Sequence, residues 1–395
     1  MQKLTSAIPL SLYIHLPWCI RKCPYCDFNS HEARQSLPEE HYVETLLRDL
    51  KANLPALHGR SFVSLFFGGG TPSLFSPSAI AAVLEGVNRL VPLEPSVEIT
   101  LEANPGSVDE SRFIGFKHAG INRLSLGIQS LQNEKLKQLG RVHDRESALN
   151  AIKSAQMAGF DNMNLDLMHG LPGQSIDDAL QDLKDALDFD VPHLSWYQLT
   201  IEPNTFFHRH PPSLPAEETL WDIQEQGKLL LAERGFHQYE VSAYSRPGKS
   251  CLHNMNYWQF GDYLGIGAGA HSKLTDIDQQ IIHRHWQVKN PKDYLDPAKQ
   301  LTASQKILLQ DEILFEFMLN ALRLSSGVPI DLFYERTGLP HGVLALPVSQ
   351  AIEKKLLHSD PLLLKPTELG YQFLNDLVSM FLGSDDATRA PTSSY

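Results

Sequence analysis

Short runs in which apolar and polar residues alternate recur along the first 245 residues, each followed by a longer segment with a helical apolar stripe. The short runs are 10–16, 62–67, 97–103, 123–128, 163–168 and 194–201. The amphipathic segments are 41–57, 78–91, 146–159, 176–189 and 217–234. Strands alternating with helices of this length predict parallel βαβ units. About six are visible, fewer than a closed (β/α) barrel needs.

The two faces of these strands differ. In the third, Val97, Ile99, Leu101 and Ala103 oppose Glu98, Thr100, Glu102 and Asn104. In the fourth, Leu124, Leu126 and Ile128 oppose Arg123, Ser125, Gly127 and Gln129. In the fifth, Met163, Leu165 and Leu167 oppose Asn162, Asn164 and Asp166, and in the first, Leu10, Leu12, Ile14 and Leu16 oppose Ser11, Tyr13 and His15. A parallel sheet covered on both faces reads as unbroken apolar runs. One polar face on strand after strand predicts helices outside and a polar, ligand-filled lumen inside. The alternative is a one-sided sheet with its polar face in water.

From about Asp311 the pattern changes. Helices are expected over 311–324, 329–336, 343–355 and 371–382, with a short hairpin over 356–365. The expected fold class is therefore α/β: a partial (β/α)6 barrel over 1–245, a connecting segment over 246–305, and a small, mostly helical, winged-helix-like domain over 306–382. The Ser/Thr/Asp/Ala-rich tail, 383–395, is expected to be disordered.

Charge and length narrow the function classes. Asp+Glu outnumber Lys+Arg by 46 to 34, a net charge of −12, which disfavours general nucleic-acid binding, because phosphates need clustered cations. The longest apolar stretch near the N-terminus, 8–18, is broken by Pro9, His15 and Pro17. It falls short of the ~20 residues of a membrane helix and has no cleavage signal, so a cytoplasmic, unprocessed chain is expected. Four cysteines exclude a disulfide scaffold and suit a reducing compartment.

Three of the four cysteines crowd one window, Cys19-Ile-Arg-Lys-Cys23-Pro-Tyr-Cys26, and Cys251 stands apart. The spacing is C-x3-C-x2-C. The window follows the first strand directly, so it forms a loop at the C-terminal mouth, where such folds keep their chemistry. Three thiolates in so short a loop can converge on one centre. A cubane [4Fe–4S] cluster normally takes four Cys, and three leave one iron open to another ligand. A zinc site closed by His15 or His31 is the competing reading. Gly68-Gly69-Gly70-Thr71 follows the second strand, where glycines serve either a tight turn or the close approach of a ligand. Glu102, Gln129 and Asp166 lie at or near the ends of the next three strands, and Arg141 follows in Leu139-Gly-Arg-Val-His. Any one of these charges alone suits a structural ion pair. Their arrival at one mouth suits a ligand.

The cysteine spacing, with the aromatic Tyr25 before the third Cys, resembles the signature of the radical S-adenosylmethionine (SAM) family. That resemblance implies a [4Fe–4S] cluster on Cys19, Cys23 and Cys26, SAM on the open iron, and a full or partial (β/α) barrel. Nearly the whole chain resembles the HemN-like branch of the family. Tyr13, Gly69, Gly70, Thr71, Glu102, Gln129, Arg141, Asp166, Thr200 and His271 fall where that branch contacts SAM. In the branch's oxygen-independent coproporphyrinogen III dehydrogenase the cysteine run continues to a fourth Cys, where this chain has Phe28, and a longer segment precedes the cluster.

The run His253-Asn254-Met-Asn-Tyr257-Trp258 instead resembles the mark of the haem-binding chaperones of the same branch. This implies haem near His253, Asn254, Tyr257 and Trp258, handed to an acceptor such as a respiratory haem enzyme by a monomer or homodimer. His253, or Cys251 as thiolate, has the chemistry to ligate iron, and the two aromatics offer flat faces. A packed His beside two aromatics is the plainer reading of the same residues. Coproporphyrinogen dehydrogenase, or another radical SAM porphyrin-modifying enzyme, is the alternative function. Gly265, Gly267 and Gly269 lack the βαβ context of a dinucleotide fingerprint.

Overall fold

The computed structural model describes residues 4, 8–340 and 342–382, so the tail 383–395 lies outside the described residues. Strands β1 (Leu10–Leu16), β2 (Phe62–Gly69), β3 (Glu98–Ala103), β4 (Arg123–Gln129), β5 (Met163–His169) and β6 (His193–Gln198) lie side by side in chain order, all parallel. Between them run α1 (Glu39–Asn53), α2 (Pro77–Leu90), α3 (Glu110–Ala119), α4 (Asn133–Gln138), α5 (Arg145–Met157) and α6 (Ile176–Leu187), and α7 (Glu217–Glu233) follows β6. The caps are written in the sequence. Ser76, Asp109, Asp144 and Ser175 each accept a backbone N–H of the first turn, and Ser175 and Asp178 close a capping box.

The apolar strand face packs under the helices. Leu12, Ile14, Leu65, Phe67, Leu101, Leu124, Leu126, Leu165 and Leu194 are fully buried there. Each such side chain contributes roughly 1.5–3 kcal/mol by leaving water. Helix α3 was not expected. Only Phe113 and Phe116 of its residues are buried, so the stripe is too sparse to read, and Asp109 and Gly120 (φ 110°) set its ends.

Residues 246–305, expected as a connection, carry α8 (Leu252–Trp258) and four strands of the same sheet. Strand β9 (Asp262–Ile266) lies parallel to β1 on its free side. Strands β10 (His271–Asp276), β11 (Ile281–Gln287) and β12 (Thr302–Ile307) continue antiparallel. At the other end, β7 (His237–Glu240) and β8 (Ala243–Ser245) follow β6 in the order β6–β8–β7, which completes a twelve-stranded sheet. The polar composition of β10 and β11 hides them from a periodicity reading. Lys273 is buried because its ammonium lies 2.9 Å from the equally buried Asp262, which also accepts from Arg60 at 2.7 Å.

Beyond β12, α9 (Gln310–Ala321), α10 (Ile330–Thr337) and α11 (Gly342–Glu353) enclose a second core around Phe317, Met318, Phe333, Leu344 and Leu377. Val328–Pro329 pairs with Leu363–Leu364, and Leu357 bridges to Pro366 where the hairpin was expected.

Candidate functional site

The cysteine loop begins where β1 ends. Trp18–Cys19 pairs with His31–Glu32, so the chain leaves and returns along one short ladder that encloses Cys23 and Cys26. The glycine run ties this loop to the end of β2: Gly70 N–H donates to Leu16 O at 2.9 Å and Thr71 N–H to Trp18 O at 2.7 Å. No side chain fits at these glycines. A Cβ on Gly70 would sit 2.6 Å from Trp18 O, and one on Gly69 (φ 115°) would sit 2.5 Å from the His15 ring.

All three thiols are free and half-buried. Thr71 Oγ1 donates to Cys19 Sγ and Arg141 Nη1 to Cys23 Sγ, each at 3.5 Å, and Cys26 Sγ lies 3.9 Å from Ser30 Oγ. Burial pushes the Cys19 and Cys26 thiols above their ordinary range, a cost that metal ligation would offset by taking the thiolate. Among the described residues no three of His, Cys, Asp and Glu gather round one ion position. A cubane does not ask for that, since each thiolate takes its own iron. His15, a possible fourth ligand to zinc, is engaged at both ring nitrogens, with Tyr13 Oη at 3.0 Å and Asn29 O at 2.9 Å.

The strand ends supply the rest of the mouth. Glu102 accepts from Gly69 N–H at 3.2 Å, and burial with the nearby Asp166 pushes its carboxyl up to about 8. Burial also raises Asp166, against hydrogen bonds from Ser125 (2.9 Å) and Asn164 (2.8 Å). Two carboxylates in mutual repulsion form a site that a cationic ligand relieves. Arg141 donates to Gly127 O at 2.8 Å, and its buried Nε has no partner. Gln129, at φ 69°, accepts from Tyr197 Oη at 2.8 Å. Thr200 is exposed and donates to Glu202 at 2.9 Å, and His271 is exposed and stacks on Trp286 at 5.9 Å. Beside the cysteine loop a cleft of about 480 Å³ is lined by Arg21, Lys137, Arg141, Val142 and His143.

The His253–Trp258 run forms α8, but its side chains do not make one surface. Glu98 Oε1 accepts from Leu252 N–H (2.9 Å) and His253 N–H (3.3 Å) and lies 3.6 Å from Cys251 Sγ. His253 is 2% exposed and turns into the lumen. Its Nδ1 lies 2.9 Å from Ser64 Oγ, and its ring stacks on Phe66 at 4.9 Å and lies 6.4 Å from Tyr13. Burial pulls its pKa down to about 3, and its Nε2 has no partner. Asn254 is half-buried, and Tyr257 meets Tyr263 edge-on at 4.4 Å. Trp258 packs on the C-terminal core with the Arg323 guanidinium 4.3 Å from its ring centroid. In this conformation the motif offers no open flat cradle to a porphyrin.

Several lumen residues escaped the reading of the sequence as site residues. Arg123 is fully buried between Glu98 (3.9 Å) and the lumen, and His193 bridges Asn164 (2.6 Å) and Tyr239 (2.8 Å). Their signal was present, since each lies on a polar strand face.

The profile of the radical SAM superfamily matches residues 13–186, and that of the HemN C-terminal domain matches residues 308–373. The chain is 47% identical over 374 residues to heme chaperone HemW of Escherichia coli (strain K12), across 95% of this chain and 98% of that protein. It is also 47% identical over 378 residues to heme chaperone HemW of Haemophilus influenzae, with the same coverage of 95% and 98%. Mouse radical S-adenosyl methionine domain-containing protein 1, mitochondrial, is 43% identical over 270 residues, 67% of this chain and 61% of that one. Among solved structures, coproporphyrinogen III oxidase (HemN) from Escherichia coli has the same fold, with a TM-score of 0.80 over 95% of this chain and 90% of that one, at 22% identity.

Proposed function

The chain belongs to the heme chaperone HemW family of radical SAM proteins, and on that premise we propose that it binds a [4Fe–4S] cluster, SAM and haem, and hands haem to an acceptor protein. One observation supports the cluster and SAM parts above others. The loop of Cys19, Cys23 and Cys26 lies over strand ends that deliver Gly69, Glu102 and Asp166, with Arg141 and Thr71 already donating to two of the sulfurs.

In this reading the three cysteines hold the cluster. When bound, the cluster supplies one-electron reduction of the SAM sulfonium. Glu102 and Asp166 face the cationic groups and the ribose, and Arg141, with its spare Nε, takes the carboxylate. Gly69 and Gly70 let the ligand approach the main chain, and Tyr13, Thr71, Gln129, Thr200 and His271 complete the SAM contacts. Phe28, 54% exposed where the dehydrogenase has its fourth Cys, supports haem carriage over decarboxylation. His253 is the proposed iron ligand, with Asn254, Tyr257 and Trp258 around the porphyrin. Haem reaches His253 only when α8 moves off the lumen. Among the described residues no helix is long and apolar enough to cross a membrane. We place the protein in the cytoplasm, beside its acceptor.

Anaerobic reconstitution followed by electron paramagnetic resonance tests the first part. A reduced-cluster signal that changes on adding SAM is expected, and a missing signal or an unchanged one rejects the reading. Haemin titration followed at the Soret band tests the second. His253→Ala should weaken binding, and unchanged affinity would move haem off α8. Coproporphyrinogen III dehydrogenase activity is the second reading. Protoporphyrinogen formed from coproporphyrinogen with SAM and reductant would establish it.

A further inference from the structure

His15 has one partner on each ring nitrogen, and the partners fix its tautomer. Nε2 lies 2.9 Å from the carbonyl oxygen of Asn29, which only accepts, so Nε2 carries a proton. Burial holds the ring neutral, with its pKa pulled down to about 4, so Nδ1 presents a lone pair. The Tyr13 hydroxyl, 3.0 Å from Nδ1, therefore donates to it. A phenol has one proton, and once that proton is committed to His15 the oxygen accepts from anything else that approaches.

We propose that His15 is a positioning residue that makes Tyr13 a pure hydrogen-bond acceptor at the mouth, and that this selects a cationic N–H group there: the ammonium of the methionine moiety, if the SAM reading above holds. The surroundings point the same way. Glu102 lies near enough to raise the Tyr13 phenol further after burial has raised it, and that carboxylate already takes the Gly69 N–H. An acceptor-only phenol beside a carboxylate repels a ligand carboxylate and leaves that group to Arg141. The arrangement thus sets which end of the amino acid goes where.

The lock is held on every side. Asn29 Nδ2 donates to Ala268 O and Lys289 O, each at 2.9 Å, which fixes the carbonyl that His15 needs. Tyr42 Oη donates to His15 O at 2.9 Å and accepts from Ala268 N–H at 2.9 Å. Gly69 leaves just enough room for the imidazole, since any Cβ there would lie 2.6 Å from Nδ1.

The test uses the full, cluster-loaded protein with two probes, SAM and its desamino analogue, titrated anaerobically by calorimetry. Wild-type protein should prefer SAM. Tyr13→Phe and His15→Leu should each cut that preference by about tenfold, the effect of one hydrogen bond to a charged group. A His15→Leu preference equal to wild type would overturn the role of His15. The second measurement needs no variant. Nitrogen-15 histidine spectra of the unmodified protein should show His15 as the neutral Nε2–H tautomer, and a charged ring or the Nδ1–H tautomer would overturn the proposal even if His15→Leu fails to fold. Wild-type protein that binds neither probe would defeat the SAM reading, and the tautomer would then decide the hydrogen-bond lock by itself.

Discussion

On the proposed reading, the carboxyl of Glu102 makes SAM binding a proton-linked event. Burial and Asp166 push it up to about 8, while the Gly69 N–H pulls the other way. At pH 7 the free site is therefore mostly protonated, and a cationic ligand must draw on the ionised fraction. That fraction is about one half at pH 8, about one tenth at pH 7 and about one hundredth at pH 6, and the apparent Kd scales with its inverse. Affinity should weaken about fivefold from pH 8 to 7 and about tenfold from pH 7 to 6. His15 and His143, both pulled down to about 4, stay neutral throughout. The assay is calorimetry on cluster-loaded protein in buffers of different ionisation enthalpy, which should report nearly one proton released per SAM bound at pH 7. Glu102→Gln should bind more weakly at pH 8 and lose the slope. A flat wild-type profile, or the same slope in Glu102→Gln, would refute the argument. Stability carries the opposite sign. A raised carboxyl pKa means that the native state holds a proton the unfolded state has released. Stability therefore falls as pH rises from the unfolded value toward 8, and Glu102→Gln should flatten that fall in thermal melts of the cluster-free protein.

Three further outcomes follow from the same geometry. Asp262→Asn leaves the buried Lys273 and Arg60 uncompensated and should cost about 3–5 kcal/mol in urea denaturation. Lys273 and Arg60 hold this carboxyl below its ordinary range against burial, so its contribution is present above the unfolded pKa and should be lost as acid takes the pH through the folded one. Gly70→Ala drives a Cβ to 2.6 Å from Trp18 O, so reconstituted protein should hold less iron and sulfide at unchanged far-ultraviolet dichroism. Arg141→Leu removes the donor to Cys23 Sγ and the cation of the mouth, and should weaken SAM binding by about tenfold or more while haemin binding is retained.

The six parallel strands were legible because each pairs an apolar face with a polar one, and the period of two survives one-sided burial of a lumen. The same rule hid β10 and β11. Periodicity treats Lys273 and Asp262 as solvent-facing, yet each is buried by the other. That the cysteine loop, Gly69, Glu102 and Asp166 come together was legible because the C-terminal ends of parallel strands open on one mouth. The second layer was not found. The role of His15 depends on the carbonyl of Asn29, which a ladder through Trp18–Cys19 and His31–Glu32 brings beside it. No local pattern announces a backbone acceptor brought in by a loop.

The His253–Trp258 run shows how a short motif divides between two faces once it folds as a helix. Treated as a flat patch, His253, Tyr257 and Trp258 clasp a porphyrin together. On the helix as it stands, His253 and Trp258 face different ways, and the three would meet one porphyrin only after α8 moves. A residue four positions on returns to nearly the same face, whereas one five positions on is turned by about 140°. The structure follows that arithmetic. Tyr257 meets His253 edge-on at 4.9 Å, while Trp258 goes to the C-terminal core and Arg323. The helix is thus a joint between two cores, with its imidazole sealed against Ser64, Phe66 and Tyr13 on one side and its indole against α9 and its neighbours on the other. Freeing His253 for iron means breaking that joint and uncovering the Tyr13 ring at the same time. On the proposed reading, haem capture by this helix and ligand binding at the mouth would share one wall, the Tyr13 ring, and that ring is what would couple them.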